Sequence, residues 1–234
     1  MRRQPMVDFE LLDNPVWNSL RMGHSDMAIR NGSAARYPAD ISPLVDLSDT
    51  GPQAFADLRA LVEPGETVGL VSPEACEPPH DWAVKRARFI DQMICPALEL
   101  ETTMPLLDLG EADAAEMLAL AAATEPGPFV AGTQRMGRFR GVRAPDGMLM
   151  AMAGERMHLD GLTEISAVCT WPQYRGRGLA KALVVAAAAR ILAEGNVPFL
   201  HVKGENDAAR MLYERIGFRR RRQVHFMVMT AIPA

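Results

Sequence analysis

A run of strand-forming residues, a loop with two glycines and three cations around it, and a long alanine-rich segment follow one another without interruption over residues 164–195. No other part of the chain restricts its fold as tightly. Glu164-Ile-Ser-Ala-Val-Cys-Thr170 mixes β-branched and small residues. It stops at Trp171-Pro172, because a proline steers the residue before it out of the helical region and removes a ladder donor. Gln173-Tyr-Arg-Gly-Arg-Gly-Leu-Ala180 then brings in Gly176 and Gly178, which lack the Cβ atoms that would hold a ligand away from the backbone. From Leu179 the spacing predicts a helix to Glu194, with Ala180, Val184, Ala187 and Ile191 on a helical period and Gly195-Asn196 as its stop. Such a loop aims unpaired N–H groups and partial positive charge outward, so a phosphate or pyrophosphate is the expected guest. Arg175, Arg177 and Lys181 strengthen that preference. The loop lacks the Gly-Lys-Ser/Thr ending of a P-loop and the Gly-x-Gly-x-x-Gly spacing of a dinucleotide fold.

Residues 168–180 resemble the acetyl-CoA-binding motif of the GNAT superfamily of N-acetyltransferases, Gln/Arg-x-x-Gly-x-Gly/Ala, with Gln173, Gly176 and Gly178 in its named positions. Downstream, Asn206-Asp-Ala-Ala-Arg-Met-Leu-Tyr-Glu-Arg-Ile-Gly-Phe218 resembles that family's Asn-x-x-Ala-x-x-Leu-Tyr-x-x-x-Gly-Phe, and every named position is filled. The resemblance covers residue 98 to the C-terminus. It implies an α/β (α+β) chain with the acyl-CoA N-acyltransferase fold, a mixed, mostly antiparallel sheet flanked by helices.

The resemblance also implies roles. Acetyl-CoA would be the cosubstrate, with no metal, and an unidentified amine on a small molecule or peptide would attack the thioester directly. Backbone groups of Val168, Cys169 and Thr170 would meet the pantetheine arm, and Gly176, Arg177, Gly178, Leu179, Ala180 and Lys181 the pyrophosphate, with Arg175 alongside. Asn206 matches a polar contact to the cofactor arm. The departing thiolate needs a proton and the amine must lose one. Tyr213 is the family's general-acid position, and a phenol of ordinary pKa about 10 can donate. Glu164 and His201 are the two base positions, unless bulk water takes the proton. A cofactor-binding sensor or scaffold without turnover, or transfer of a longer acyl group, are the alternatives.

Before residue 98 no chemical motif stands out. Residues 1–97 form an N-terminal region expected to be an α/β extension or a degenerate GNAT-like half, and residues 98–234 the acetyltransferase domain. Apolar spacing predicts helices over 52–62 and 82–94 and strands over 67–71 and 98–104; His24 and His80 read as surface or capping residues. Further strands are expected over 139–143, 148–157, 197–202 and 224–230, and helices over 108–123 and 206–216. Residues 219–222, four arginines, read as a solvated connection, with an anion contact as their functional reading. A formal net charge of −4 carries no nucleic-acid footprint and mildly favours a cationic acceptor. Cys76, Cys95 and Cys169 show no metal spacing and suit a reducing compartment. Without an apolar leader or long apolar run, the expectation is a cytoplasmic protein off the membrane, monomeric or homodimeric.

Overall fold

The computed structural model describes residues 7–233, so residues 2–6 of the stretch read for a leader, residues 2–10, lie outside it. In chain order the elements are α1 (Pro15–Arg21), β1 (Ile29–Asn31), β2 (Ala34–Arg36), β3 (Leu44–Leu47), α2 (Pro52–Arg59), β4 (Thr67–Ser72) and β5 (Trp82–Ile94). After residue 97 come β6 (Leu107–Leu109), α3 (Ala114–Thr124), β7 (Phe139–Arg143), β8 (Leu149–Leu159), β9 (Leu162–Thr170), α4 (Leu179–Ala193), β10 (Val197–Lys203), α5 (Asp207–Ile216) and β11 (Arg219–Ala231). The strands form one 11-stranded sheet in the order β1-β2-β3-β4-β11-β5-β10-β9-β8-β7-β6. Among the described residues only β3–β4 and β9–β10 pair in parallel. No helix among the described residues is long and apolar enough to cross a membrane.

The sheet is continuous across residue 97, and the parts of the chain before and after that residue exchange strands. β5 lies between β10 and β11, while β11 lies between β4 and β5. This pairing corrects the helix expected over 82–94. Two apolar residues of the stretch, Val84 and Phe89, are 46% and 48% exposed, whereas residues from Ile90 to Ile94 are buried without a break. A ladder on both edges satisfies the backbone of β5, and tertiary pairing overrides the local period.

Other expectations shift for similar reasons. Residues 98–104 form no strand; the edge strand β6 comes later and takes Asp108, which the helical reading had placed in α3. The arginine run opens β11 with a bulge between Arg220 and Arg222, and Arg221 and Arg222 reach Asp13 at 2.7 and 3.0 Å. His80 is exposed, but His24 is buried. Its Nε2 lies 2.9 Å from the Met136 carbonyl, which only an N–H can satisfy, leaving Nδ1 as an acceptor for the Ser19 hydroxyl at 3.3 Å, while the nearby Tyr37 hydroxyl donates to Ser19 Oγ at 2.9 Å. Burial pushes its pKa down to about 4.

Successive residues of a strand face opposite sides. Leu200, Met93 and Ile165 therefore pack against Val184, Ala188 and Ile191 of α4 and Ile216 of α5. On the other side, Phe199, Ile90 and Ile94 meet Leu12, Val16 and Leu20 of the N-terminal segment.

Candidate active site

β9 and β10 pair only at Leu162 with Val197, Thr163 with Pro198 and Glu164 with Phe199, and then part. A bulge in β9 accompanies the parting. Met152 of β8 faces Cys169 but Gly154 faces Ser166, so β9 carries an extra residue there, and Ala167 takes a φ of 53°. A bulge bends its strand and reverses the alternation beyond it. Val168 consequently shares the α4 side with Ile165, while Ala167 and Cys169 pack towards α3. Strict alternation would have put Val168 on the same face as Glu164. The gap holds a cavity of about 770 Å³ that passes through the sheet, lined by residues of β9, β10, α5, the glycine loop and β5.

Gly176 and Gly178 both have φ of 76°, and a Cβ at either would meet nothing within 4 Å. Helix α4 makes its first backbone bond from Ala182 N–H to the Gly178 carbonyl, so the N–H groups of Leu179, Ala180 and Lys181 precede the helical ladder. Arg175, Gly176 and Ala180 line the main cavity. Arg177, Gly178 and Lys181 line a second cavity of about 540 Å³ beside residues 101–105, and the Arg177 guanidinium lies 5.0 Å from the Tyr174 ring centre. Leu179 offers only its backbone, since its side chain packs with Ala151, Ala153 and Leu183. Thr170 Oγ1 is buried with no hydrogen-bond partner among the described residues. An orphaned hydroxyl, open glycines and free helix N–H groups form a donor set that fits a thioester nucleotide with a pyrophosphate. Asn206 lines the cavity and caps α5, its Oδ1 accepting from Ala209 N–H at 3.1 Å.

The two residues expected as bases, Glu164 and His201, adjoin. Glu164 is wholly buried. Arg156 donates to it from Nε and Nη2, each at 2.7 Å, and His201 Nδ1–H donates to its Oε1 at 2.8 Å. Burial alone would raise this carboxyl's pKa, but the charge and hydrogen bonds of Arg156, with His201, hold it down to about 2. On the other side of the imidazole, Gln92 Nε2 donates to His201 Nε2 at 3.1 Å and to the Leu12 carbonyl at 2.8 Å, while Arg221 Nη1 donates to Gln92 Oε1 at 2.9 Å. Both ring nitrogens of His201 are engaged.

Tyr213 lines the cavity from α5, and its ring lies 6.0 Å from that of Phe218. Burial pushes its phenol up to about 12, so it keeps its proton at neutral pH. The cavity thus gathers Val168, Cys169, Thr170, Arg175, Gly176, Ala180, His201, Asn206 and Tyr213, whereas Glu164 supports it from behind. Sequence reasoning missed Arg156, Gln92, Arg86 and Arg88. A charged pair, Glu155-Arg156, inside an otherwise apolar strand was a usable signal for the first; nothing local marks the others.

Residues 141–227 match the FR47-like protein family. A solved structure of an acetyltransferase from the GNAT family of Novosphingobium aromaticivorans is 42% identical to this chain, with a TM-score of 0.88 over 95% of this chain and 99% of that one. A GCN5-related N-acetyltransferase from Kribbella flavida shares the fold at 15% identity, with a TM-score of 0.61 over 96% and 95% of the two chains. A mycothiol acetyltransferase of Nocardiopsis dassonvillei is 35% identical over an 85-residue alignment, with 32% of this chain and 26% of that protein's length covered.

Proposed function

The chain belongs to the GNAT family of acetyltransferases, and from that premise we propose that it transfers the acetyl group of acetyl-CoA directly to a primary amine of a small molecule or peptide. The observation that carries this reading is the gap between β9 and β10, open through the sheet, with Tyr213 and the glycine loop towards one face and Arg156 and His201 towards the other. Acetyl-CoA supplies an activated acyl group on a thiol leaving group.

The chain's own groups divide the work. The N–H groups at the start of α4, with Arg175, Arg177 and Lys181, hold the pyrophosphate end. Val168, Cys169 and Thr170, freed from β10, offer backbone and hydroxyl groups to the pantetheine arm. Tyr213 holds a proton for the departing sulfur, its high pKa keeping it the donor. Glu164 and His201 act by position. The carboxylate, held near pKa 2, takes no proton at neutral pH, and Gln92 occupies the lone pair of His201 that would accept one. The amine therefore enters already neutral, its proton lost to bulk water. The free cysteines Cys76, Cys95 and Cys169 suit work in the cytoplasm, as a monomer or homodimer.

Calorimetric titration with acetyl-CoA and CoA, followed by thiol release over a panel of amines, tests the proposal. Binding with turnover is expected. Binding with no turnover on any amine or acyl-chain length would favour a sensor, and no binding would overturn the reading.

A further inference from the structure

The cavity has two ends of different character. Towards α5, it is walled by Val168, Leu212 and Tyr213, which belong to the core under α4 and α5. Towards the N-terminal segment, it is walled by Leu44, Val71, Ile90 and Phe226 of the opposite core. Three guanidinium groups line that second end, from Arg86, Arg88 and Arg156. Arg86, Arg88 and Ile90 alternate along β5 with Gln92, whose amide contacts His201, so their side chains share the His201 face. Arg156 is 9% exposed, and it spends Nε and Nη2 on Glu164. Its remaining nitrogen, Nη1, has no hydrogen-bond partner among the described residues and points towards Gly127, itself a cavity residue. Glu125 is the one carboxylate among the lining residues, while Glu205 pairs with Arg88 and Glu164 with Arg156 from outside the lining, so the charge that no carboxylate meets among the described residues is that of Arg86, and a cationic acceptor would face it.

We propose that the acceptor is a small amine that also carries a carboxylate and an apolar portion, the carboxylate being received by Arg156 Nη1 with Arg86 and Arg88, and the apolar portion by Leu44, Val71, Ile90 and Phe226. This inference rests on the acyltransferase reading of the same cavity, and it replaces the cationic acceptor expected from net charge. Glu164, His201 and Gln92 then have a shared task. They fix the guanidinium of Arg156 in one orientation, with its third nitrogen turned to the ligand.

The test uses the full-length protein saturated with CoA and two probes, N-acetylleucine and its uncharged amide, N-acetylleucinamide, titrated calorimetrically near neutral pH. The acid is expected to bind at least about tenfold more tightly, the scale of one hydrogen bond to a charged group. A variant carrying Arg86→Gln and Arg88→Gln, both on the less buried stretch of β5, should lose about that factor for the acid and none for the amide. Arg156→Lys keeps a charge on Glu164 while removing the third donor, and should weaken the acid alone. Equal affinity for the two probes, or binding of neither, overturns the inference. Thiol release from acetyl-CoA with leucine and leucinamide separates the two readings. Equal turnover of both amines would reject the carboxylate site and leave the acyltransferase standing. A preserved binding preference with no turnover on any amine would reject the acyltransferase and leave the carboxylate site.

Discussion

Arg156 and Glu164, on neighbouring strands β8 and β9, meet in two parallel hydrogen bonds of 2.7 Å, with the carboxylate wholly buried and the guanidinium nearly so. Two charges so far from water hold together only while both are present, because either alone would bear an uncompensated desolvation cost.

Glu164→Gln should therefore destabilise the protein by about 3–5 kcal/mol at neutral pH, measured by urea unfolding, since it leaves Arg156 charged and buried. The pH dependence has a definite sign. The folded pKa, about 2, lies below the ordinary 4.5, so the contribution of Glu164 is complete above 4.5 and lost as pH falls towards 2. The difference between wild type and variant should be flat above that range and shrink below it. A variant as stable as wild type at neutral pH would mean that the pair adds nothing net.

Tyr213→Phe should lower kcat by about 100-fold while changing the CoA dissociation constant by less than about twofold, because a phenol supplies a proton and little binding. With the phenol at about 12, wild-type kcat/KM should climb with pH as the amine loses its proton, with no falling limb up to pH 10 or so. A limb near neutrality would assign the proton to another group.

Thr170→Val separates binding from stability. Removing a buried hydroxyl that has no partner should stabilise the free protein by about 1 kcal/mol, and the lost contact should weaken CoA binding by about fivefold. A lower melting temperature combined with unchanged CoA affinity would show that the hydroxyl serves the fold instead.

A fragment of residues 98–234 should not fold alone. It lacks β5, the antiparallel partner of both β10 and β11, and would expose the inner edge of each. Circular dichroism should show no cooperative transition. Co-expression with residues 1–97 should restore CoA binding; a fragment that folds and binds CoA by itself would contradict the exchange of strands.

The glycine loop, its flanking strand and helix, and the helix carrying Tyr213 were legible because each announces itself within a few residues. Proline at the strand end, glycines at positive φ and a 3.6-residue apolar period are local signals, and α4 begins at Leu179 as its sequence predicts. The antiparallel run through β7, β8 and β9 was legible for the same reason.

What tertiary structure decided depends on partners distant in sequence. Residues 82–94 carry an apolar pattern that also suits a helix, and only the edges of β10 and β11, more than a hundred residues downstream, make them a strand. Whether His201 is a base or a held ring rests on Gln92, and Gln92 rests on Leu12 and Arg221. The bulge at Ala167, which turns Val168 away from Glu164, arises from register against β8. By itself the sequence determined the glycine loop, the helix that carries Tyr213 and the family, because those are written in local spacing. The arginine-lined end of the cavity was left to the tertiary structure, because its charge comes from β5 and β8, brought together only when backbone pairing closes the sheet.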